Sequence, residues 1–120
     1  MHQSPFYLYG DGLITRDFIH VSDVAKILLQ AGLMDLSSPL IVNVATGTSI
    51  STLEVLEYIK EKGYPLQLQH RPARSGEVIA SEADITLFGK IFSIKPTPFF
   101  VQFPKMLDDA VSRISRQERS

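Results

Sequence analysis

The sequence contains no cysteine and no strong excess of charge of either sign. Without cysteine, disulfides and thiolate metal sites are excluded, which fits a reducing compartment. Since the sequence also lacks a membrane-spanning run and the pattern of a signal peptide, we expect a cytoplasmic protein. Twelve basic and thirteen acidic residues leave a net charge of −1, so the composition offers no electrostatic case for nucleic acid or for an anionic membrane as partner. Any anion site must therefore be local and built from a few arginines.

Long apolar runs and metal-ligand patterns are missing as well. The longest strongly apolar stretch, residues 24–34, is interrupted by Lys26 and Gln30 and is too short to cross a bilayer. The N-terminus does not show the charged-then-apolar order of a signal peptide. The three histidines have no paired spacing, so we expect no metal. They are His2, His20 and His70.

What is present is ordinary for a globular protein. Of the 120 residues, 44% are hydrophobic and 21% are charged, which matches folded soluble domains. A chain of this length can bury one core. We therefore predict a single domain over residues 1–120, with residues 116–120 as a frayed polar tail.

The first half of the chain predicts short strands around one helix. Residues 6–9 read as a strand that ends at the turn Gly10-Asp11-Gly12, and residues 17–21 read as a second strand. Ser22 is expected to cap a helix over residues 23–36, with Val24, Ile27, Leu28, Ala31 and Met34 as its buried stripe. The β-branched run at residues 40–44 is typical of a strand buried on both faces, as in a parallel sheet.

The second half predicts the remaining helices and weaker strands. Ser51 and Glu54 form a capping-box pattern, and Gly63 suits the end of the helix that follows. Residues 66–70 alternate like a half-exposed strand, residues 78–81 add a short one, and a short helix is expected over residues 85–90. Pro104 fits the first turn of a closing helix over residues 105–116. The fold class expected is a small mixed α/β domain of short, partly parallel strands with three to four helices.

Residues 10–21 read Gly-Asp-Gly-Leu-Ile-Thr-Arg-Asp-Phe-Ile-His-Val, which places Arg16 at the mouth of a strand, where a phosphate can sit. Later come the Asn-Val strand, the capped helix, Arg74-Ser75-Gly76-Glu77 and the triplet Ala-Asp-Ile at residues 83–85. This order resembles the C-terminal, substrate-binding part of the NAD-dependent epimerase/dehydratase family. These extended short-chain dehydrogenases rework nucleotide sugars, and the similarity points to the 4-epimerases among them. It covers residues 6–97 and weakens after residue 88.

The resemblance implies roles for five residues. Arg16 and Arg74 match the family's two pyrophosphate-binding arginines, and Glu77 matches the acidic residue that reaches the ribose. Tyr7 and Tyr9 match the strand positions that lie against the base, usually uracil. These chemistries agree with the residue types, because guanidinium is a planar fork suited to phosphate oxygens and a carboxylate accepts hydrogen bonds from a diol.

For each of these roles the residue types also allow a different explanation. Arg16 beside Asp17 is compatible with a surface ion pair, and Arg71 lies close enough in sequence to take the place of Arg74 as the phosphate contact. Glu77 is compatible with a solvated turn, and the two tyrosines with core packing. His20, between apolar neighbours, is expected to be a structural strand residue.

No catalytic residue is expected in this chain. Tyr58 and Lys62 have the spacing of the family's catalytic pair, but the resemblance places them in the wrong part of the fold, and we reject them. The resemblance implies NAD in the full-length parent enzyme and none bound by this chain alone, since Gly10 and Gly12 precede a strand rather than a helix. The 120 residues alone are therefore expected to be inactive, as the nucleotide-sugar lobe of an enzyme whose reaction is UDP-hexose 4-epimerisation.

A second function class stays open at this point. The apolar segment of residues 99–103 suggests contact with a separate Rossmann lobe or self-association. The alternative is thus a non-catalytic nucleotide-sugar-binding or protein-interaction module derived from the same lobe. A third possibility is a degenerate fragment whose arginines bind nothing. The UDP-sugar remains the partner that the resemblance implies.

Overall fold

The computed structural model describes residues 5–117. These residues alternate between short strands and helices. In chain order the elements are β1 (Phe6–Tyr9), β2 (Thr15–Asp17), α1 (Val21–Leu33), β3 (Ser49–Ser51), α2 (Thr52–Glu61), β4 (Leu68–Arg71), β5 (Ala80–Ser81), α3 (Thr86–Ile91) and α4 (Phe99–Gln117). The expected class, a small mixed α/β fold with short strands and up to four helices, is confirmed.

The described chain divides into two compact units, each built from separate stretches of sequence. The first combines the residues up to Asp17 with Gly47–Glu82. The second combines Phe18–Thr46 with the residues from Ala83 onward. The single domain expected over residues 1–120 stays a prediction.

Two small sheets form the first unit. Strands β1 and β4 are parallel, with Tyr9 opposite Arg71. In the other sheet β2 lies between β3, which is antiparallel to it, and β5, which is parallel. Leu8 and Leu56 are the buried apolar side chains of this unit. Because parallel strands end at the same edge, the turn after β1 and the loop after β4 lie side by side, and the N–H of Gly10 donates to the carbonyl of Arg71 at 2.9 Å.

Helix α2 begins as its sequence predicts. Ser51 Oγ accepts the N–H of Glu54 at 3.1 Å, and the Glu54 carboxylate accepts the N–H of Ser51 at 2.7 Å. Both halves of the capping box are thus present. The hydrogen bonds from Ser51 hold the pKa of Glu54 below its ordinary value. Gly63, with φ of +81°, follows the helix in the left-handed conformation expected of it.

Helices α1, α3 and α4 belong to the second unit, whose buried apolar side chains are Ile27, Ala45 and Phe88. Asp23 on α1 is also buried, and its carboxylate accepts the N–H of Thr97 at 2.7 Å. Leu28, expected in the buried stripe, is 67% exposed. The inward face of α1 follows Asp23 and Ile27, one turn apart, and a periodicity of apolar residues cannot find a buried carboxylate.

The strand expected over residues 17–21 is wrong. Strand β2 ends at Asp17, because its antiparallel partner β3 has only three residues and pairing stops there. Helix α1 starts at Val21, and its cap is His20 rather than Ser22. The Nδ1 atom of His20 accepts the N–H of Ser22 at 3.1 Å. At the cap of a helix, this bond is commonly accepted by the side-chain oxygen of Ser or Asp.

Residues 40–44 do not form the buried strand that their composition predicts, since no strand of residues 5–117 pairs with them. Ile41 is 93% exposed. β-branched side chains favour extended backbone, but a strand also needs a neighbour with free N–H and C=O groups. In residues 40–44 the preference for extended backbone is therefore not sufficient to form a strand.

Helix α4 starts at Phe99, well before the expected residue 105, so that Pro104 lies inside it. Phe99 and Phe103 are one turn apart and stack with ring centroids 4.8 Å apart, a contact that needs helical spacing. Pro104 removes one N–H donor near the start of the helix without ending it. The helix continues through Gln117, and residues 118–120 of the expected tail lie outside the described residues.

Candidate functional site

A glycine turn closes β1 at the edge where β4 also ends. Gly10 and Gly12 have φ of 72° and 78°, values that side-chain-bearing residues rarely adopt. Between them, Asp11 Oδ1 accepts the N–H of Leu13 at 2.9 Å. A Cβ on Gly12 would lie 3.4 Å from the Cβ of Leu53, because the Leu53 N–H donates to the Gly12 carbonyl. The turn therefore holds the start of α2 against the end of β1.

Each tyrosine of β1 lies under a guanidinium group. Tyr7 and Tyr9 are two residues apart and share one face of the strand. The Cζ of Arg71 lies 4.7 Å from the ring centroid of Tyr7, and the Cζ of Arg74 lies 4.0 Å from that of Tyr9. The tyrosines are 43% and 36% exposed, so neither is a core residue. Exposed cation–π pairs of this kind are worth about 0.5–1 kcal/mol each.

Two adjoining clefts surround these pairs. The first, the tyrosine cleft, has a volume of about 250 Å3, and its walls include Tyr7, Tyr9, Thr52, Arg74 and Glu77. The second has a volume of about 520 Å3 and runs past the glycine turn, with Arg74 and Glu77 again in its walls. Four of the five residues expected to bind substrate therefore lie together.

The chemistry of the first cleft is mixed. Tyr7 and Tyr9 supply flat aromatic surface, Thr52 a hydroxyl, Arg74 a fork of donors and Glu77 a carboxylate that only accepts. Glu77 follows Gly76, whose φ is +78°, in the loop after β4. A ligand with an aromatic ring, a diol and an anionic group would find a partner for each of these parts within this cleft.

Arg16 lies apart from these walls in the structure. It is the central residue of β2, paired with Ile50 on one side and Ser81 on the other. Its Nη1 donates to the carbonyl of Thr15 at 2.8 Å. Arg16 is half-buried and is not among the lining residues of either cleft. Its expected phosphate role stays a prediction.

Sequence reasoning missed Thr52 as a wall residue. The signal was available, because the capping box at Ser51 and Glu54 makes Thr52 the first residue of α2. The Thr52 N–H donates to the carbonyl of Ile14 at 3.2 Å, which ties this helix start to the segment leading into β2. What the sequence does not show is that the same segment borders the tyrosine cleft.

The second unit contains a small apolar cavity of about 110 Å3. Phe18, Phe99 and Phe103 form much of its wall, with His20 and Thr97 as polar members. His20 Nδ1 also lies 2.7 Å from Ser22 Oγ, so its ring serves the start of α1. His20 is structural, as expected, although as a helix cap and not as a strand residue.

Among residues 5–117 no group of three or more His, Asp or Glu side chains is placed to hold a metal ion. Within the same range, none of the helices is long and apolar enough to cross a membrane. On α2, Lys62 Nζ lies 5.3 Å from the ring centroid of Tyr58. The rejection of these two residues as a catalytic pair stays a prediction.

Solved structures that share this fold include nucleotide-sugar epimerases. A UDP-N-acetylglucosamine 4-epimerase from Methanobrevibacter ruminantium M1, in complex with UDP-N-acetylmuramic acid, superposes with a TM-score of 0.73 at 32% identity, over 96% of this chain and 36% of that one. A UDP-glucose 4-epimerase from Bifidobacterium longum, in complex with NAD+ and UDP, gives 0.66 at 31% identity, over 80% of this chain and 31% of that one. The class of fold is therefore that of the extended epimerases.

Curated relatives of this chain are named UDP-glucose 4-epimerase. A UDP-glucose 4-epimerase of Mycoplasma genitalium is 35% identical over 109 residues, which are 81% of this chain and 32% of that protein. No family model matches the chain. The resemblance to the NAD-dependent epimerase/dehydratase family is confirmed by sequence and by fold, and the chain spans about a third of the length of the curated relatives it matches.

NAD belongs to the full-length proteins of this family, as the solved Bifidobacterium longum complex shows. The residues described here do not fit it. The turn at Gly10 and Gly12 leads into β2, whereas a dinucleotide pyrophosphate is seated by a glycine-rich turn that leads into a helix. No step of hydride transfer can therefore be assigned to these residues.

Proposed function

We propose that this chain is the nucleotide-sugar-binding part of an NAD-dependent sugar epimerase/dehydratase, and that the reaction of the whole enzyme is UDP-hexose 4-epimerisation. The observation that carries the proposal is the shared cleft of Tyr7, Tyr9, Arg74 and Glu77. Residues that are far apart in sequence meet there through the parallel pairing of β1 with β4. The similarity to UDP-glucose 4-epimerases supports a UDP-sugar as the ligand.

In this proposal each wall residue meets one part of the ligand. Arg74 binds the diphosphate through its guanidinium fork, with Arg16 as the second cation. Glu77 accepts hydrogen bonds from the ribose diol, and the tyrosines offer their rings to the base. The chain contributes positioning, which lowers the barrier of a reaction whose other groups lie elsewhere. On its own it binds without turnover.

The test is a titration of the 120-residue chain with UDP-glucose, followed by backbone amide NMR, with dTDP-glucose as comparison ligand. We expect saturable shifts at Tyr9, Arg74 and Glu77. Arg74→Ala should weaken binding by about tenfold or more, since a hydrogen bond to a charged group contributes about 1.5–3 kcal/mol. Arg113→Ala, an exposed arginine of α4, is the matched control. Shifts that are unsaturable, or the same in both variants, would refute the proposal.

The alternative is a non-catalytic binding or protein-interaction module, and exposed apolar residues favour it. Val101, within the apolar segment of residues 99–103, and Met106, which follows that segment on α4, are each more than half exposed. Mixing the chain with the Rossmann part of a UDP-glucose 4-epimerase separates the two. Recovered epimerase activity supports the split enzyme, while saturable ligand binding without recovered activity supports the module. The cytoplasmic location stays a prediction.

A further inference from the structure

Arg71 has no part in the proposed function and is not among the lining residues of either cleft, but it lies against one wall residue of the tyrosine cleft. It is the last residue of β4, directly opposite Tyr9. Its carbonyl accepts the N–H of Gly10 at 2.9 Å, which fixes the backbone at the edge where the glycine turn lies. Its guanidinium lies over the ring of Tyr7, a wall residue of the cleft.

The charge of the cleft depends on this residue. Among the wall residues of the tyrosine cleft, the charged side chains are Arg74 and Glu77, which cancel. The adjoining cleft adds the carboxylate of Asp11 to the same two. Neither set has a surplus of positive charge with which to attract a ligand that carries two or more negative charges. Arg71 adds a positive charge next to Tyr7, whereas Arg16, the second cation of the proposed function, lines neither cleft.

The geometry places the two guanidinium groups on one face of the strand. Tyr7 and Tyr9 are two positions apart along the strand, about 6.6 Å. Arg71 lies over the first ring and Arg74 over the second, so each fork is held on one of two tyrosines that share a strand face. Stacking also restricts both side chains before a ligand arrives, which lowers the entropic cost of forming new hydrogen bonds.

We propose that Arg71 is a phosphate-binding residue that acts together with Arg74, and that the pair selects ligands with a diphosphate over those with one phosphate or none. The identification of that ligand as a nucleotide sugar rests on the proposed function. The phosphate contact itself rests on the position and charge of Arg71. The competing role is purely structural, in which Arg71 only covers Tyr7.

The experiment measures dissociation constants of the 120-residue chain for inorganic pyrophosphate, UDP and uridine by amide NMR titration. The variants are Arg71→Ala and Arg71→Gln, the second of which keeps a planar group over Tyr7 without the charge. Arg113→Ala is again the control, and dispersed amide spectra verify the fold of each variant. We expect both Arg71 variants to weaken pyrophosphate and UDP by about tenfold, as for a lost charge-assisted hydrogen bond, and to leave uridine almost unchanged.

The outcomes separate this proposal from the proposed function. UDP binding that is saturable but unaffected by either variant overturns the role of Arg71 and leaves the proposed function standing. Pyrophosphate binding that depends on Arg71, without added affinity for UDP, supports Arg71 and counts against a nucleotide ligand. An equal loss for uridine and UDP in Arg71→Ala, restored in Arg71→Gln, shows the structural role instead. Absence of binding to both pyrophosphate and UDP overturns both proposals.

Discussion

Removing the carboxylate of Asp23 should destabilise the second unit by an amount that its contacts set. Asp23 is 2% exposed. It accepts the backbone N–H of Thr97 at 2.7 Å and the Thr97 hydroxyl at 3.4 Å, and Lys26 Nζ lies 3.8 Å away. In Asp23→Ala the Thr97 N–H loses its partner, and a buried unsatisfied group costs about 1–3 kcal/mol. Asp23→Asn keeps an acceptor oxygen and should cost less.

The contribution of Asp23 to the stability of the fold should decrease as the pH falls. Burial raises the pKa of Asp23, but the hydrogen bonds from Thr97 and the nearby positive charge of Lys26 bring it below its usual value of 3.8. The folded state therefore holds the proton less tightly than the unfolded state. The stabilisation is fully present above the unfolded pKa and is lost as the pH falls through the lower folded value. In Asp23→Asn this part of the acid sensitivity should be absent.

Urea unfolding followed by circular dichroism, repeated between neutral pH and about pH 3, measures both effects, since a fall in the midpoint at constant slope reports lost stability. Asp108→Asn, at an exposed carboxylate of α4, is the control for a generic loss of one negative charge. If Asp23→Ala is as stable as the original chain, the hydrogen bonds to Thr97 do not contribute as reasoned. If Asp23→Asn loses stability in acid as steeply as the original, the pKa reasoning fails.

Two further predictions concern helix caps. Ser51→Ala should lower the free energy of unfolding by about 1 kcal/mol. The pKa of Glu54, followed by NMR, should rise part of the way towards its ordinary value, because the hydroxyl bond from residue 51 is lost while its backbone N–H still donates to the carboxylate; an unchanged stability and an unchanged pKa would together contradict the capping box. His20→Ala should cost a similar amount, about 1 kcal/mol, whereas His20→Asn should cost little because asparagine is a good cap. Equal urea midpoints for these two His20 variants would show that the imidazole does not cap α1.

Local signals predicted the parts of the fold that depend on a few neighbouring residues. The capping box of Ser51 and Glu54 and the left-handed Gly63 are both determined within one turn of helix. The turn at Gly10 and Gly12 is local in the same way. Such features could be predicted because the groups that satisfy each other lie within four residues in the sequence.

Most of the predictions that were wrong concern features that are not determined by a few neighbouring residues. Residues 40–44 have the composition of a strand without a described partner, and β2 ends where its three-residue partner β3 ends. The cap of α1 is a histidine, which propensities do not favour, and the inward face of the same helix carries Asp23. The strand errors and the buried Asp23 depend on contacts between segments that are distant in sequence, as the bond from Thr97 to Asp23 is, whereas His20 caps α1 through a local bond with Ser22.

In the candidate site, the residue types could be predicted from the sequence, but their positions depend on contacts between distant segments. Residue chemistry alone left Arg74 and Arg71 as rivals for one phosphate, since their spacing in sequence does not say where either side chain goes. The structure places each over a different tyrosine of the same strand. The parallel register of β1 and β4 sets this arrangement, because it brings Tyr9 opposite Arg71 and sends the following loop across the end of β1. Two arginines that compete in the sequence therefore lie over two tyrosines of one strand, and the proposed diphosphate site rests on this arrangement.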